Sequence, residues 1–231
     1  DTRWPVSAGA NSFSSDVGMG ATGVLLNTPR GITISKDGAF VYVSSGSNDA
    51  LNVFSRDKTT GVLSIIETFQ DDSQTGGTIN TLDGAWGVTI SPDDKHVVVI
   101  ANASAQSGFS VFTRNTADGT LTFLEEFRDD SATGGTITNL KGPRWSTFSP
   151  DGKFLYVSAA TDDALNVFSR DTDPASVNFG KQVGGDIMEN KKTYLYIKSL
   201  EKASEDDREG LLHLYSIKPE DSTAKVAAVK T

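Results

Sequence analysis

Apolar and polar residues alternate along three stretches of this chain that read almost as copies of one another. In the first, "GITI" is followed by the turn "SKDG", then by "AFVYVSS" and "ALNVFSRD". The second runs "GVTI", "SPDD", "HVVVIAN", "GFSVFTRN", and the third "WSTF", "SPDG", "FLYVSAA", "ALNVFSRD". After the turns "TTG" and "ADG" comes a fourth alternating stretch, "VLSIIETFQ" or "LTFLEEFRD". Period-two alternation bounded by Gly, Asp and Pro turns predicts strands. The turn serines Ser35, Ser91 and Ser149 lie 56 and 58 residues apart. Four strands in a unit of that length predict propeller blades, hence a mainly all-β fold.

The register extends backwards, because Phe13-x-x-Asp16 aligns with Phe69-x-x-Asp72 and Phe127-x-x-Asp130. It extends forwards too, with Val177, Phe179 and Val183 where a last outer strand is due and Asp186 where Asp130 would be. The chain therefore divides into an irregular segment 1–12, blades over 13–186 and a different C-terminal segment over 187–231. Closed propellers have about four to eight blades. Three four-stranded units make an incomplete ring with open strand edges, so either partner chains complete it, two copies giving six blades as the simplest closure, or the sequence is a fragment of a longer chain.

"SPDGKFLYVSAATDDALNVFSRD" resembles the YVTN and lactonase-type β-propeller repeats of bacteria, and the resemblance covers about residues 13–171. It implies fold more strongly than function, since propellers host many activities. The leading expectation is a non-catalytic binding or scaffold module. The alternative is a lactonase-like hydrolase working at the mouth of the propeller channel.

The tail is another kind of sequence. "ENKKTYLYIKSLEKA" and "SEDDREGLLHLYSI" are rich in helix formers and predict two helices with a break near Ser204, a candidate N-cap. A second reading takes "KTYLYIKS" and "LLHLYSIKPED" as strands of a degenerate fourth blade. "FGKQVGGDIMENKKTYLYIKSLEKA" is similar to the C-terminal part of trans-isoprenyl diphosphate synthases, and the likeness runs over about 173–231. That resemblance implies diphosphate contacts at Lys181 and Lys191, with Mg²⁺ serving only if this part is functional. Such chemistry needs cations and metal around a leaving diphosphate. The paired aspartate-rich motifs that hold magnesium in that family have no full counterpart. "DDALN" at Asp162–Asn166 matches "NDALN" of the first repeat and reads as a turn leading into a strand.

Charge narrows the partners. Thirty acidic and 21 basic residues give a net charge of −9, which disfavours a nucleic-acid backbone as ligand. No apolar run approaches the roughly 18 residues of a membrane helix. The absence of cysteine excludes disulfides, zinc–thiolate sites and thiol nucleophiles, and suits an extracytoplasmic or secreted protein, with the cytoplasm as the other option. Beginning at Asp1 with neither Met nor a leader, the sequence reads as that of a processed or trimmed chain.

Within that acidic chain, Arg30, Trp86 and Arg144 align at the start of the innermost strands, with Trp145 beside the last. Two arginines and two tryptophans there suit a small anionic or sugar-like ligand. The alternative is that the tryptophans pack between blades and the arginines pair with loop aspartates. "QDDSQTGGT" and "RDDSATGGT" offer Asp72 and Asp130 as calcium ligands, although such clusters are also turn chemistry. His96 in a strand and His213 in the tail lack the partners of a catalytic base, so no catalytic residue is assigned.

Overall fold

Each alternating stretch forms a strand in the computed structural model, which describes residues 24–72, 76–103, 107–130, 132, 136–171, 179–182 and 204. The first repeat forms β1 (Pro29–Ile34), β2 (Phe40–Ser45), β3 (Ala50–Arg56) and β4 (Leu63–Gln70). The second forms β5 (Ala85–Ile90), β6 (His96–Ala101), β7 (Gly108–Arg114) and β8 (Leu121–Arg128). The third forms β9 (Pro143–Phe148), β10 (Phe154–Ala159), β11 (Ala164–Arg170) and β12 (Phe179–Gln182). Each set pairs in chain order into one four-stranded antiparallel sheet, the blade predicted from the period. The described residues hold three such blades, and no helix among them is long and apolar enough to cross a membrane. The chain divides into two compact units, Asp1–Asp129 with Asn139–Gly180, and Asp130–Thr138 with Lys181–Thr231. Segment 1–12 and, apart from Ser204, the tail 187–231 lie outside the described residues.

The turn between the first two strands is built the same way three times. Ser35, Ser91 and Ser149 each donate a hydroxyl hydrogen bond to the aspartate two residues on, Asp37, Asp93 or Asp151. The same hydroxyls accept the amides of Phe40, His96 and Phe154, so each serine serves the turn twice. Gly38, Asp94 and Gly152 occupy the left-handed position of these turns, at φ 71°, 65° and 72°. This is side-chain turn chemistry of the kind that Ser and Asp supply.

The core lies between blades. Phe40, Tyr42, Leu51 and Val53 on one face of the first sheet cover Val88, Val97, Val99 and Phe112 of the second. Between the second and third, the Phe109 ring meets that of Phe168 edge-on at 4.8 Å, with Phe127 at 5.8 Å from Phe168. Burying such aromatic and branched side chains on both faces of a sheet is the main source of stability here.

One arginine per blade holds the first turn, and two of the three also tie neighbouring blades together. Arg56, Arg114 and Arg170 end the third strands and donate to the carbonyls of Gly38, Asp94 and Gly152 in their own blade's first turn. Arg114 also reaches the Tyr42 hydroxyl of the preceding blade through Nε, and the Tyr42 hydroxyl donates to the Gly119 carbonyl. Burial pushes the Tyr42 phenol up to about 12, against the opposing pull of Arg114. Arg170 likewise grips the preceding blade, at 2.7 Å from the Asp93 carboxylate and 2.8 Å from His96 Nδ1. Arginine only donates, so His96 accepts there as a neutral imidazole. His96 is thus a packed histidine of a blade joint.

Burial, followed by the Arg170 charge, lowers the His96 pKa to about 4. Asp93 falls to about 2: burial alone would raise it, but hydrogen bonds from Ser91 and Arg170 and the Arg170 charge outweigh that. For the histidine, the unfolded chain binds more protons between pH 6.5 and 4, so stability falls as pH drops through that window. Asp93 adds a second loss below the ordinary aspartate pKa, completed near pH 2. Urea unfolding between pH 7 and 4 should lose on the order of 1–2 kcal/mol from His96, allowing for its partial exposure. His96→Phe, which restores the residue type of Phe40 and Phe154, should flatten that slope. An unchanged slope would remove His96 as its source.

Candidate functional site

The linkers before the inner strands deliver the site. Leu26, Leu82 and Leu140 are buried at equivalent positions of the three linkers, and Leu82 belongs to the core between the first two blades. Asn52 holds the first through a two-way bond with the Leu25 backbone, at 3.0 and 2.7 Å. Ser110 donates to the Thr81 carbonyl and Asn166 to that of Asn139, the equivalent bonds in the other two blades. The chain then turns through Thr28, Gly84 or Gly142, all at positive φ, and enters β1, β5 or β9.

Each inner strand is irregular at its start. The pairing register shifts between Pro29 and Ile32, between Ala85 and Val88, and between Pro143 and Trp145 opposite Ala159 and Ser158. Such bulges break the alternation and re-aim side chains. The re-aimed residues are Arg30, Trp86 and Arg144. The Arg30 guanidinium carbon lies 4.0 Å from the centre of the Trp86 ring, and that of Arg144 lies 5.1 Å from it. Both contacts are within cation–π range. Three residues aligned by sequence register thus meet around one indole.

Close approach of neighbouring inner strands makes this possible. A Cβ on Gly31 would sit 2.5 Å from the Trp86 carbonyl oxygen, and one on Gly87 2.6 Å from that of Arg144. Ser44 adds a hydroxyl hydrogen bond to the Trp86 carbonyl and accepts the Gly31 amide. In the third repeat the corresponding residue is Trp145, which is 57% exposed. Sequence reasoning did not identify the bulges or the two glycines. The signal for the glycines was their alignment with Trp145.

Neither Arg30 nor Arg144 has a hydrogen-bond or carboxylate partner for its guanidinium among the described residues. The arginines therefore do not pair with the loop aspartates. Those carboxylates are taken up by backbone amides: Asp72 accepts from Thr78 and Ile79 at 3.2 and 2.7 Å, and Asp71 from Leu82 and Asp83. Asp130, in the other unit, accepts from Thr136 and Ile137 at 3.1 and 2.7 Å. No three His, Asp or Glu side chains gather as a metal cage among the described residues. "DDALN" forms the turn into β11, where Asp162 accepts the Lys141 amide and Asp163 has φ 49°. Lys181 lies on β12, while Lys191 and His213 lie outside the described residues.

The family model described as "Lactonase, 7-bladed beta-propeller" matches residues 19–76 and 66–184. The polyprenyl synthetase model matches 159–231, a stretch whose described part includes β11 and β12 of the third blade. Among solved structures, the periplasmic gluconolactonase of Pseudomonas aeruginosa is 28% identical with a TM-score of 0.54, covering 67% of this chain and 38% of its own. A Bacteroides uniformis protein provisionally assigned as a 6-phosphogluconolactonase is 22% identical with a TM-score of 0.56, covering 71% and 41%. A Bacteroides fragilis protein with the same provisional assignment is 23% identical with a TM-score of 0.54, covering 68% and 38%. The chain thus spans about two fifths of the length of these relatives. No curated protein matches.

The two roles open to Asp72 are separable. As a loop cap, its loss in Asp72→Ala should cost about 1–2 kcal/mol, read as a lower melting temperature independent of calcium. As a calcium ligand, it would make the melting temperature of the unmodified protein rise with added Ca²⁺ and fall with chelator.

Proposed function

This chain belongs to the lactonase, 7-bladed beta-propeller family, and we propose that its blades serve as a non-catalytic binding module for a small anionic, sugar-like ligand. The observation that carries this reading is the pair of arginines at Trp86 with no acceptor among the described residues. Stacking occupies the faces of the guanidinium groups and leaves their N–H edges for a carboxylate or phosphate. In a chain of net charge −9, two such cations on the strand starts that flank Trp86 supply local attraction for an anion. The exposed Trp145 ring offers a flat apolar surface to the carbon side of a sugar. The likeness to a periplasmic gluconolactonase supports an extracytoplasmic place of work.

A second reading, lactone hydrolysis at the same place, is favoured by the family and by that same relative. The arginines would then bind the acid group formed as the ring opens.

Calorimetric titration with 6-phosphogluconate and with gluconate tests the binding reading. Arg30→Ala and Arg144→Ala should each weaken affinity about tenfold or more, the loss expected for hydrogen bonds to a charged ligand. Absence of binding at millimolar ligand, or affinity indifferent to both arginines, would overturn it. Turnover of δ-gluconolactone that Arg144→Ala abolishes would establish the hydrolase instead, and no turnover across a lactone panel would eliminate it.

A further inference from the structure

Arg30 and Arg144 both meet the Trp86 ring, but they are held differently. Arg30 is half-buried, whereas Arg144 is exposed and its guanidinium stands farther from the indole. The difference traces to the residue that follows the second strand of each blade, which is Gly46, Asn102 or Ala160. All three stand in one backbone frame. Their amides donate to the carbonyls of Thr28, Gly84 and Gly142, two residues before Arg30, Trp86 and Arg144.

A Cβ added to Gly46 would lie 2.6 Å from the guanidinium carbon and from Nε of Arg30, and 3.0 Å from its Nη1. The guanidinium thus packs on the bare Gly46 backbone as well as on the Trp86 ring, 4.0 Å from its central carbon. Conformation does not demand a glycine at this position. Its φ lies outside the left-handed region, and Asn102 and Ala160 carry side chains on the same frame. In the second blade that side chain has another use, Asn102 donating through Nδ2 to the Pro143 carbonyl at 3.0 Å. What Gly46 supplies is space, and Arg30 fills it.

We propose that Gly46 is a positioning residue, whose missing side chain makes the seat that fixes Arg30 against Trp86 with its N–H edge ready for the anion. This rests on the binding reading above and divides the work between the two arginines. Arg30 is the preset anchor of the site, and the exposed Arg144 adjusts to the ligand. Holding a flexible side chain in place beforehand removes an ordering cost that binding would otherwise carry.

Gly46→Ala should weaken the binding of 6-phosphogluconate about three- to tenfold in calorimetric titration. In an Arg30→Ala background the same substitution should change affinity no further, since the group it displaces is gone. Any fall in melting temperature caused by Gly46→Ala should vanish in that background too, because the nearest atoms to the new methyl group are those of Arg30. Without ligand, the indole N–H resonance of Trp86, assigned with Trp86→Phe, should move in Gly46→Ala as it does in Arg30→Ala. Affinity that falls equally in both backgrounds would overturn the proposal and leave the binding reading intact. So would an indole resonance that Arg30→Ala moves and Gly46→Ala does not. If the parent protein binds no anion, the binding reading fails, and the resonance still decides whether Gly46 seats Arg30.

Discussion

Everything described at the inner strands depends on one steric constraint, the approach of one strand's backbone to the carbonyl of the next. Gly31 and Gly87 leave no room for a Cβ, so a methyl group at either position would have to push two blades apart. Alanine differs from glycine by that single carbon, yet here the carbon would overlap backbone, which cannot rotate away. The aromatic and aliphatic contacts farther out along the sheets presuppose this spacing. So does the meeting of Arg30 and Arg144 at Trp86, since those side chains project from the strands that the glycines bring together.

A second layer of order is polar and acts at the other end of the sheets. The serine and aspartate of each turn fix the hairpin, the arginine of the third strand fixes the turn, and in Arg114 and Arg170 a further donor holds the preceding blade. Buried charge is costly unless it is paired. Arg170 meets that demand with Asp93 and His96, and Arg114 with Asp94 and Tyr42. The same two blade joints therefore combine an apolar contact, which is not directional, with a hydrogen-bonded one that permits a single register.

Much of this was legible in the sequence, for an identifiable reason. Alternation has a period of two in a strand whatever its surroundings, so β1 to β11 lie where the pattern put them, and β12 falls on the expected last outer strand. Alignment of Arg30, Trp86 and Arg144 was legible because a repeat reproduces position as well as fold. Their contact was not, because it follows from bulges, and a bulge shows only when a strand is paired with its neighbour. The alternative of arginine–aspartate pairing failed for a related reason. The sequence shows that Asp71 and Asp72 lie in a loop, but not that the loop folds back to present its own amides to them.

The replacement of glycine by tryptophan at position 145 makes the three repeats unequal as building units. A concatemer assembled from copies of the first repeat would place a glycine at every seam, and each new inner strand could settle against the last. One assembled from the third would place an indole at every seam, and the misfit would accumulate along the array. Lengthening this protein by duplication, in the laboratory or in a genome, is thus constrained by which repeat is copied. The asymmetry rests on one residue whose side chain the strand ladder itself does not need.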